Sequence, residues 1–439
     1  MTDLFRFGGN MYKVQGMAMI FLILLSSAGI LGQDSVEDTF RILAAEEVLP
    51  ADLLEDDLYT IDTRVRNDGF MNHFIIHSQY GALEAHGEVM LHTRLAEIRA
   101  IHELESFSKS AVFLDAVKSG VVKPFNAAVN AVSRPVDTVK GIPRGVARFF
   151  VVGKRRVELG YQSAKRFIDK QSAAKEKGPD TTENKNKELL NQAGKAAVSY
   201  LGANRAQRRW ARRVGTDPYS SNPILRKKIA RVAWYDAAGS LSNVFVPSYT
   251  VVDQLGDINS LVWQKDPLEL RIYNEKILRR AVGDRKLIKA FIEESAYSPT
   301  QQTLLVHALH QMDGVDGLQD FLNHAMTAGN EMEAILFRQS LQMLAKYHQK
   351  ERLRAIAVGD FPFGAITVDN RFIIAAAVDQ VFGTDALEAD LITYKDIAAR
   401  HGAGGVGVVM VRGIVDERHK AAIARQGFTL REGVAVSAP

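Results

Sequence analysis

The alternation of apolar and polar positions sets one segment apart from the rest of the chain. Met17–Leu31 is an uncharged apolar run, preceded by Arg6 and Lys13 and followed by Asp34, Glu37 and Asp38. A helix that crosses a ~30 Å hydrocarbon core needs about 20 apolar residues, so this run is short for a span. Its basic front, its length and the small residues Ser26, Ser27 and Ala28 predict a secretory signal over residues 1–33, cleaved near Ala28 or kept as an N-terminal anchor. The fall from basic to acidic across the run predicts that the rest of the chain leaves the cytoplasm. The expected location is the periplasm or the extracellular space, with membrane association.

Downstream, residues 35–57 carry a helical pattern that Pro50 interrupts. The period then changes to two. Tyr59, Ile61, Thr63 and Val65 alternate with polar residues, and Asn67-Asp68-Gly69 supplies a turn able to take positive φ. Phe70–Ser78 is a second strand, Tyr80-Gly81 a second turn and Leu83–Leu91 a third strand. A helix over about 93–107 should cover the dry face of this antiparallel meander, because an isolated meander is barely stable.

Residues 108–172 mix short helical patches with Pro124, Pro135 and Pro143 and with many cations. Residues 173–188 are polar, highly charged and free of large apolar side chains, the composition of a disordered linker. After it, helix starts are well marked. Asp266-Pro267-Leu268-Glu269 and Ser298-Pro299-Thr300-Gln301 each combine an N-cap, proline at the first helical position and Glu or Gln at the third. Helices are predicted over 223–238, 267–282, 285–295, 299–312, 315–327 and 330–348. Near the end, Ala365–Val368 and Phe372–Val378 flank Asp369-Asn370-Arg371 as a hairpin, and a short helix is predicted near 394–401. Val406–Val411 reads as a buried strand, 417–426 as a helix ended by Gly427, and Phe428–Leu430 as a returning strand.

The expected fold class is therefore α+β and mostly helical. An N-terminal antiparallel β-meander with its helix (34–107) leads through a basic amphipathic segment (108–172) and the linker to a helical domain (189–350). A small α/β domain (351–439) completes the chain.

Charge sharpens this division. Residues 34–105 hold 16 acidic against 5 basic side chains, whereas residues 106–231 hold 27 basic against 9 acidic. Such asymmetry predicts contact between the two modules or a basic face kept for an anionic partner. Cysteine is absent, which excludes disulfides, thiolate nucleophiles and Cys-bound zinc.

The candidate chemistry tracks the charge. Val136, Val139, Ile142, Val146, Phe149, Phe150, Val151 and Val152 lie among Lys140, Arg144, Arg148, Lys154, Arg155 and Arg156, a composition suited to an interfacial helix. Arg208, Arg209, Arg212 and Arg213 surround Trp210, a combination that pairs phosphates and stacks on a ring. Export makes nucleic acid scarce, so the expected partner is an anionic membrane surface or an acidic envelope component, and the expected function is non-enzymatic. Two other readings stand beside it: a hydrolase with its site between the helical and C-terminal domains, and a metal-binding protein built on the His-rich sheet.

No residue is assigned as catalytic, no cofactor is called for, and no metal ligand is assigned. His73 and His77 share one strand face, as do His86 and His92 if 83–91 is a strand, with Glu84 and Glu88 beside them; a polar solvent face explains them better than a metal site does. His307 and His310 fall on the polar side of a helix without the Glu that a metalloprotease helix needs. Gly402–Gly407 matches the spacing of a dinucleotide fingerprint, but it comes after a helix and precedes a strand, the reverse of the order that presents helix N-terminal amides to a pyrophosphate.

Overall fold

A computed structural model of the chain describes residues 41–118, 204–237, 259–358, 363–382, 386–404 and 407–436. The expected signal, the linker and most of the basic segment 108–172 lie outside these residues. Within them the class is α+β.

The N-terminal part holds β1 (Arg41–Ala44), α1 (Ala45–Val48), α2 (Ala51–Leu54), β2 (Glu55–Asp56), β3 (Tyr59–Ile61), β4 (Arg64–Asn67), β5 (Asn72–Ser78) and β6 (Gly81–His86). The sheet is antiparallel throughout, in the order β1-β4-β5-β3-β2, with β6 on the other edge of β5. Strands β3 and β4 share one edge of β5, with Ile61 opposite Ile76 and Arg66 opposite His73. The period-two pattern thus works as expected. Tyr59, Ile61, Val65, Phe74, Ile76 and Ala85 point into one core, where Leu91, Leu95 and Ile98 of α3 (Glu88–Ser108) cover them.

Two expectations are corrected here. No long helix forms over residues 41–57. Arg41–Ala44 pairs with β4 instead, and Pro50 separates two single helical turns, α1 and α2, because tertiary pairing overrides a marginal local preference. The third strand ends at His86, not Leu91. Gly87 turns the chain at φ 89°, and Val89, Met90 and Leu91 belong to α3.

α4 (Ala111–Lys118) comes directly after α3. Beyond it, 204–213 is helical and α5 (Pro223–Ala237) packs on α3. The helical region continues with α6 (Asn259–Gln264), α7 (Pro267–Ala281), α8 (Arg285–Ile292), α9 (Pro299–Gln311), α10 (Leu318–Ala325) and α11 (Glu331–Lys350). The predicted starts hold in detail. Asp266 accepts from the N–H groups of Leu268 and Glu269, and Glu269 reaches back to the Asp266 N–H, completing a capping box. Ser298 caps α9 through the Gln301 N–H. Helix α11 is apolar on more than one side and is correspondingly central, with Phe337, Leu341 and Leu344 fully buried.

The C-terminal part comprises β7 (Leu353–Ala357), β8 (Gly364–Thr367), β9 (Phe372–Ala376), β10 (Gln380–Val381), α12 (Ala386–Arg400), β11 (Gly407–Val411), β12 (Ile414–Val415), α13 (Glu417–Arg425) and β13 (Phe428–Arg431). Its main sheet runs β13-β11-β9-β8-β7, with β7, β8 and β9 antiparallel and β9, β11 and β13 parallel. Asn370, at φ 63°, makes the predicted hairpin turn. The parallel strands β9 and β11 are buried on both faces, which explains their unbroken apolar runs. Ile373 and Ala375 face the core that contains Phe337 and Leu341 of α11, while Phe372, Ile374 and Ala376 face Leu391, Tyr394 and Ile423 of α12 and α13. The sheet therefore shares its core with the helical region, and the Ala377 N–H donates to Ser340 Oγ of α11 at 3.0 Å. Helix α12 is much longer than the short one predicted near 394–401, and β7 adds a strand that the pattern did not mark.

Candidate anion-binding face on the basic helices

Residues 204–237 contain nine basic and two acidic side chains. They form a helical hairpin, 204–213 and α5, joined by 214–222. Ala206, Trp210, Ala211, Val214, Leu225, Ile229 and Val232 fall on the inner sides and pack with Ala100, Ile101 and Leu104 of α3 and with Phe113 of α4. Burying this apolar stripe turns the intervening cations outward. Arg205, Arg209 and Arg212 recur at helical spacing along one exposed side, and Lys227 and Arg231 do the same on α5.

Arg209 and Lys228 of the hairpin meet carboxylates. Arg209 pairs with Asp236 at 2.8 Å, and Lys228 reaches Glu105 of α3 at 3.0 Å. Hydrogen bonds from Lys109 and Lys228 hold the Glu105 carboxyl below its ordinary range. Among the described residues, Arg205, Arg212, Arg213, Lys227 and Arg231 form no ion pair. Arg213 lies over the Trp210 ring (4.9 Å to the centroid), Arg231 over Phe113 and Arg212 over Trp263, both at 5.8 Å.

Trp210 has a different place from the one its sequence context suggests. Its side chain is fully buried, its Nε1–H donates to Asp236 Oδ2 at 3.0 Å, and Phe107 packs on it with ring centroids 4.9 Å apart. The ring anchors the hairpin and presents no face for stacking a ligand. Arg208 is buried too, near the Gln264 carbonyl. Lys140, Arg144, Arg148, Phe149, Phe150, Lys154, Arg155 and Arg156 lie outside the described residues.

Behind the hairpin lies a buried polar junction that the sequence did not reveal. Glu97 of α3 accepts from Arg94 at 2.9 Å, from Asn222 at 3.0 Å and from Ser220. Arg94 also meets Glu331 of α11 at 3.2 Å, and Ser221 donates to Glu331 at 2.6 Å. Asp217 accepts from Thr300 Oγ1 at 2.6 Å and from the Tyr219 N–H at 2.8 Å. Burial pushes the Asp217 carboxyl up to about 6, opposed by those hydrogen bonds and assisted by Glu97 and Glu331. These bonds fix the 214–222 connection against α3, α9 and α11, and so fix the outward direction of the basic sides.

The histidines pair otherwise than by sequence spacing. His73 and His86 are cross-strand partners, with Nδ1 atoms 2.6 Å apart, one donating to the other. His73 Nε2 lies 3.0 Å from Asp68 Oδ2. Burial raises the Asp68 carboxyl, but hydrogen bonds from His73 and from the Met71 and Phe70 N–H groups outweigh it and leave it low. His77 stands near Asp62 at 3.9 Å, and His92 is exposed on α3, not on the sheet. Among the described residues, no group of three or more His, Cys, Asp or Glu side chains is placed to hold a metal ion. His307 lies 3.1 Å from Gln311 on α9. The glycines at 402–404 come after α12 and lead towards β11, the helix-to-strand order expected.

The chain matches no family model, no curated protein and no solved structure. Among the described residues no helix is long and apolar enough to cross a membrane.

Proposed function

We propose that this chain is an exported, non-enzymatic envelope protein that binds an anionic membrane surface through its basic helices. The observation that carries this reading is the outward set Arg205, Arg212, Lys227 and Arg231, held on a packed hairpin without carboxylate partners among the described residues. The apolar run Met17–Leu31 supports export, and the cations of 136–168, interleaved with Phe149 and Phe150, extend the same chemistry along the sequence. Each Lys or Arg near such a surface contributes about 1 kcal/mol, so four acting together correspond to roughly a thousandfold in affinity.

The test is flotation of the chain from Asp34 with phosphatidylserine-containing vesicles at low and high salt. Co-flotation that high salt abolishes, and that the quadruple variant R205E/R212E/K227E/R231E loses while staying folded, is the expected result. A chain that stays in the soluble fraction at low salt overturns the reading and leaves an acidic protein partner as the next candidate.

A further inference from the structure

The α7–α8 pair carries a second basic surface, on residues that the hairpin 204–237 does not include. Residues 271–293 hold seven basic and three acidic side chains. Gly283, at φ 80°, reverses the chain between the two helices, and Arg271 of α7 comes within 3.8 Å of Glu293 at the end of α8, so the helices run antiparallel. Ile277, Leu278, Ile288, Phe291 and Ile292 are buried in the helical core. Their burial turns Lys276, Arg279, Arg280, Arg285, Lys286 and Lys289 outward, and all six are exposed. The three acids are already engaged. Glu275 meets Arg271 at 2.9 Å and Arg279 at 3.6 Å, Asp284 accepts from the Lys286 and Leu287 N–H groups, and Glu293 stands by Arg271. Among the described residues, Lys276, Arg280, Arg285, Lys286 and Lys289 form no ion pair. Ile272, 59% exposed, lies four residues before Lys276 and seven before Arg279, the spacing of one helix face. Other exposed apolar side chains have acidic neighbours: Val368 precedes Asp369, and Ile392 stands four residues before Asp396.

We infer that this surface is a second docking site for an anionic lipid bilayer, with Ile272 entering the headgroup boundary and the surrounding cations meeting lipid phosphates and carboxylates. Surplus positive charge selects an anionic partner. An aliphatic side chain among Lys and Arg selects lipid within that class, because their stems lie along apolar surface while their heads reach the headgroups. A nucleic acid gains from exposed stacking rings, whereas Tyr273 and Phe291 pack into the core. The inference rests on the membrane reading above and adds to it a separate contact, with an apolar side chain to insert.

The chain has no cysteine, so Ile272→Cys gives a single attachment point for a polarity-sensitive fluorophore on the full chain. Val368→Cys, at a position 64% exposed, is the control. With vesicles of phosphatidylserine and phosphatidylcholine, the label at position 272 should shift to shorter wavelength and be quenched by lipids bearing a nitroxide near the headgroup. Phosphatidylcholine alone should give neither effect, and the label at position 368 should stay aqueous throughout. K276E/R280E and R285E/K289E, made separately in the labelled chain, should each raise the lipid concentration at half-response about tenfold or more. R205E/R212E/K227E/R231E should raise it too, yet leave the shift in place at saturating lipid. A silent label at position 272 on a chain that floats with the vesicles overturns this inference and leaves the hairpin reading standing. A response at 272 that the hairpin variant does not alter supports this surface and counts against the hairpin. No response and no flotation ends both readings. An equal shift at position 368, or a response to polyglutamate without one to vesicles, also overturns the assignment.

Discussion

Asp379 accepts hydrogen bonds from the backbone N–H of Glu88, at 3.3 and 3.2 Å to its two oxygens, and so caps a helix that begins 291 residues earlier in the chain. Gly87, at the N-cap of α3, has no side chain with which to do this. The same carboxylate accepts from the Asn72 N–H at 3.0 Å and pairs with Arg412, which also reaches Glu88 at 3.4 Å. Phe70 O receives the N–H groups of Asp379 and Gln380, joining the N-terminal sheet to the C-terminal one. Replacing Asp379 with Ala removes the cap and leaves Arg412 with Glu88 alone. The expected loss is about 3 kcal/mol in urea unfolding, and the double variant D379A/R412M should recover part of it.

Asp217 makes a pH prediction of definite sign. Its carboxyl is raised from 3.8 to about 6 in the fold, so between these values the folded chain holds a proton that the unfolded chain has lost. Stability from this group is present below about pH 4 and falls as pH rises towards 6, by about 3 kcal/mol in all. Asp217→Asn keeps an oxygen for Thr300 and Tyr219, and should remove that decline. Urea midpoints of both proteins from pH 4 to 8 check it, with the variant the more stable at pH 7.

His86 acts in the opposite direction. Burial, and then the neighbouring His73, hold its imidazole below the ordinary 6.5, so the unfolded chain takes up the proton first on acidification. Its contribution is present above pH 6.5 and is lost as pH falls through the folded value. His86→Gln should flatten the acid limb of the stability profile, in the background of Asp217→Asn to keep the two effects apart. An unchanged acid limb would remove His86 as its cause.

Trp210→Phe should separate anchoring from binding. The variant loses the Nε1–H bond to Asp236 and some volume, at a cost of about 1–3 kcal/mol in urea unfolding. Because the ring is buried, vesicle binding by the folded variant should match that of the wild type. A selective loss of binding at full stability would instead give the ring a direct role.

Glycine positions provide a close-contact test. A Cβ at Gly413 would run into the backbone of Asp379, which cannot yield, whereas one at Gly404 meets nothing within 4 Å. Gly413→Ala should cost about 3 kcal/mol, and Gly404→Ala should stay within about 0.5 kcal/mol of the wild type, both by chemical denaturation.

Much of this architecture was written locally. Asp266 and Ser298 mark helix starts because the cap, the proline and the third-position side chain act within four residues. Tyr59, Ile61 and Val65 reveal a half-buried strand because its period of two is a property of the strand itself. Asp369-Asn370-Arg371 gives the hairpin for the same reason. The apolar run at 17–31 and the swing from acidic to basic composition are likewise sequence properties, and they carry the readings on export and on an anionic partner.

Other features depend on residues far apart in the chain. Arg41–Ala44 is a strand because β4 stands ready to pair with it, not because of its own preference. His73 faces His86 through the register of β5 and β6, which no spacing along one strand contains. Trp210 resembles a ligand-stacking ring in sequence, but α3, α4 and α5 close around it and make it core. Nothing near Asp379 in the sequence indicates that it caps α3. The sequence by itself determined the local periods, caps, turns and charge blocks, since neighbours along the chain set them. Only the tertiary structure decided which polar groups share a buried place, since burial and pairing energies depend on distances that folding alone creates.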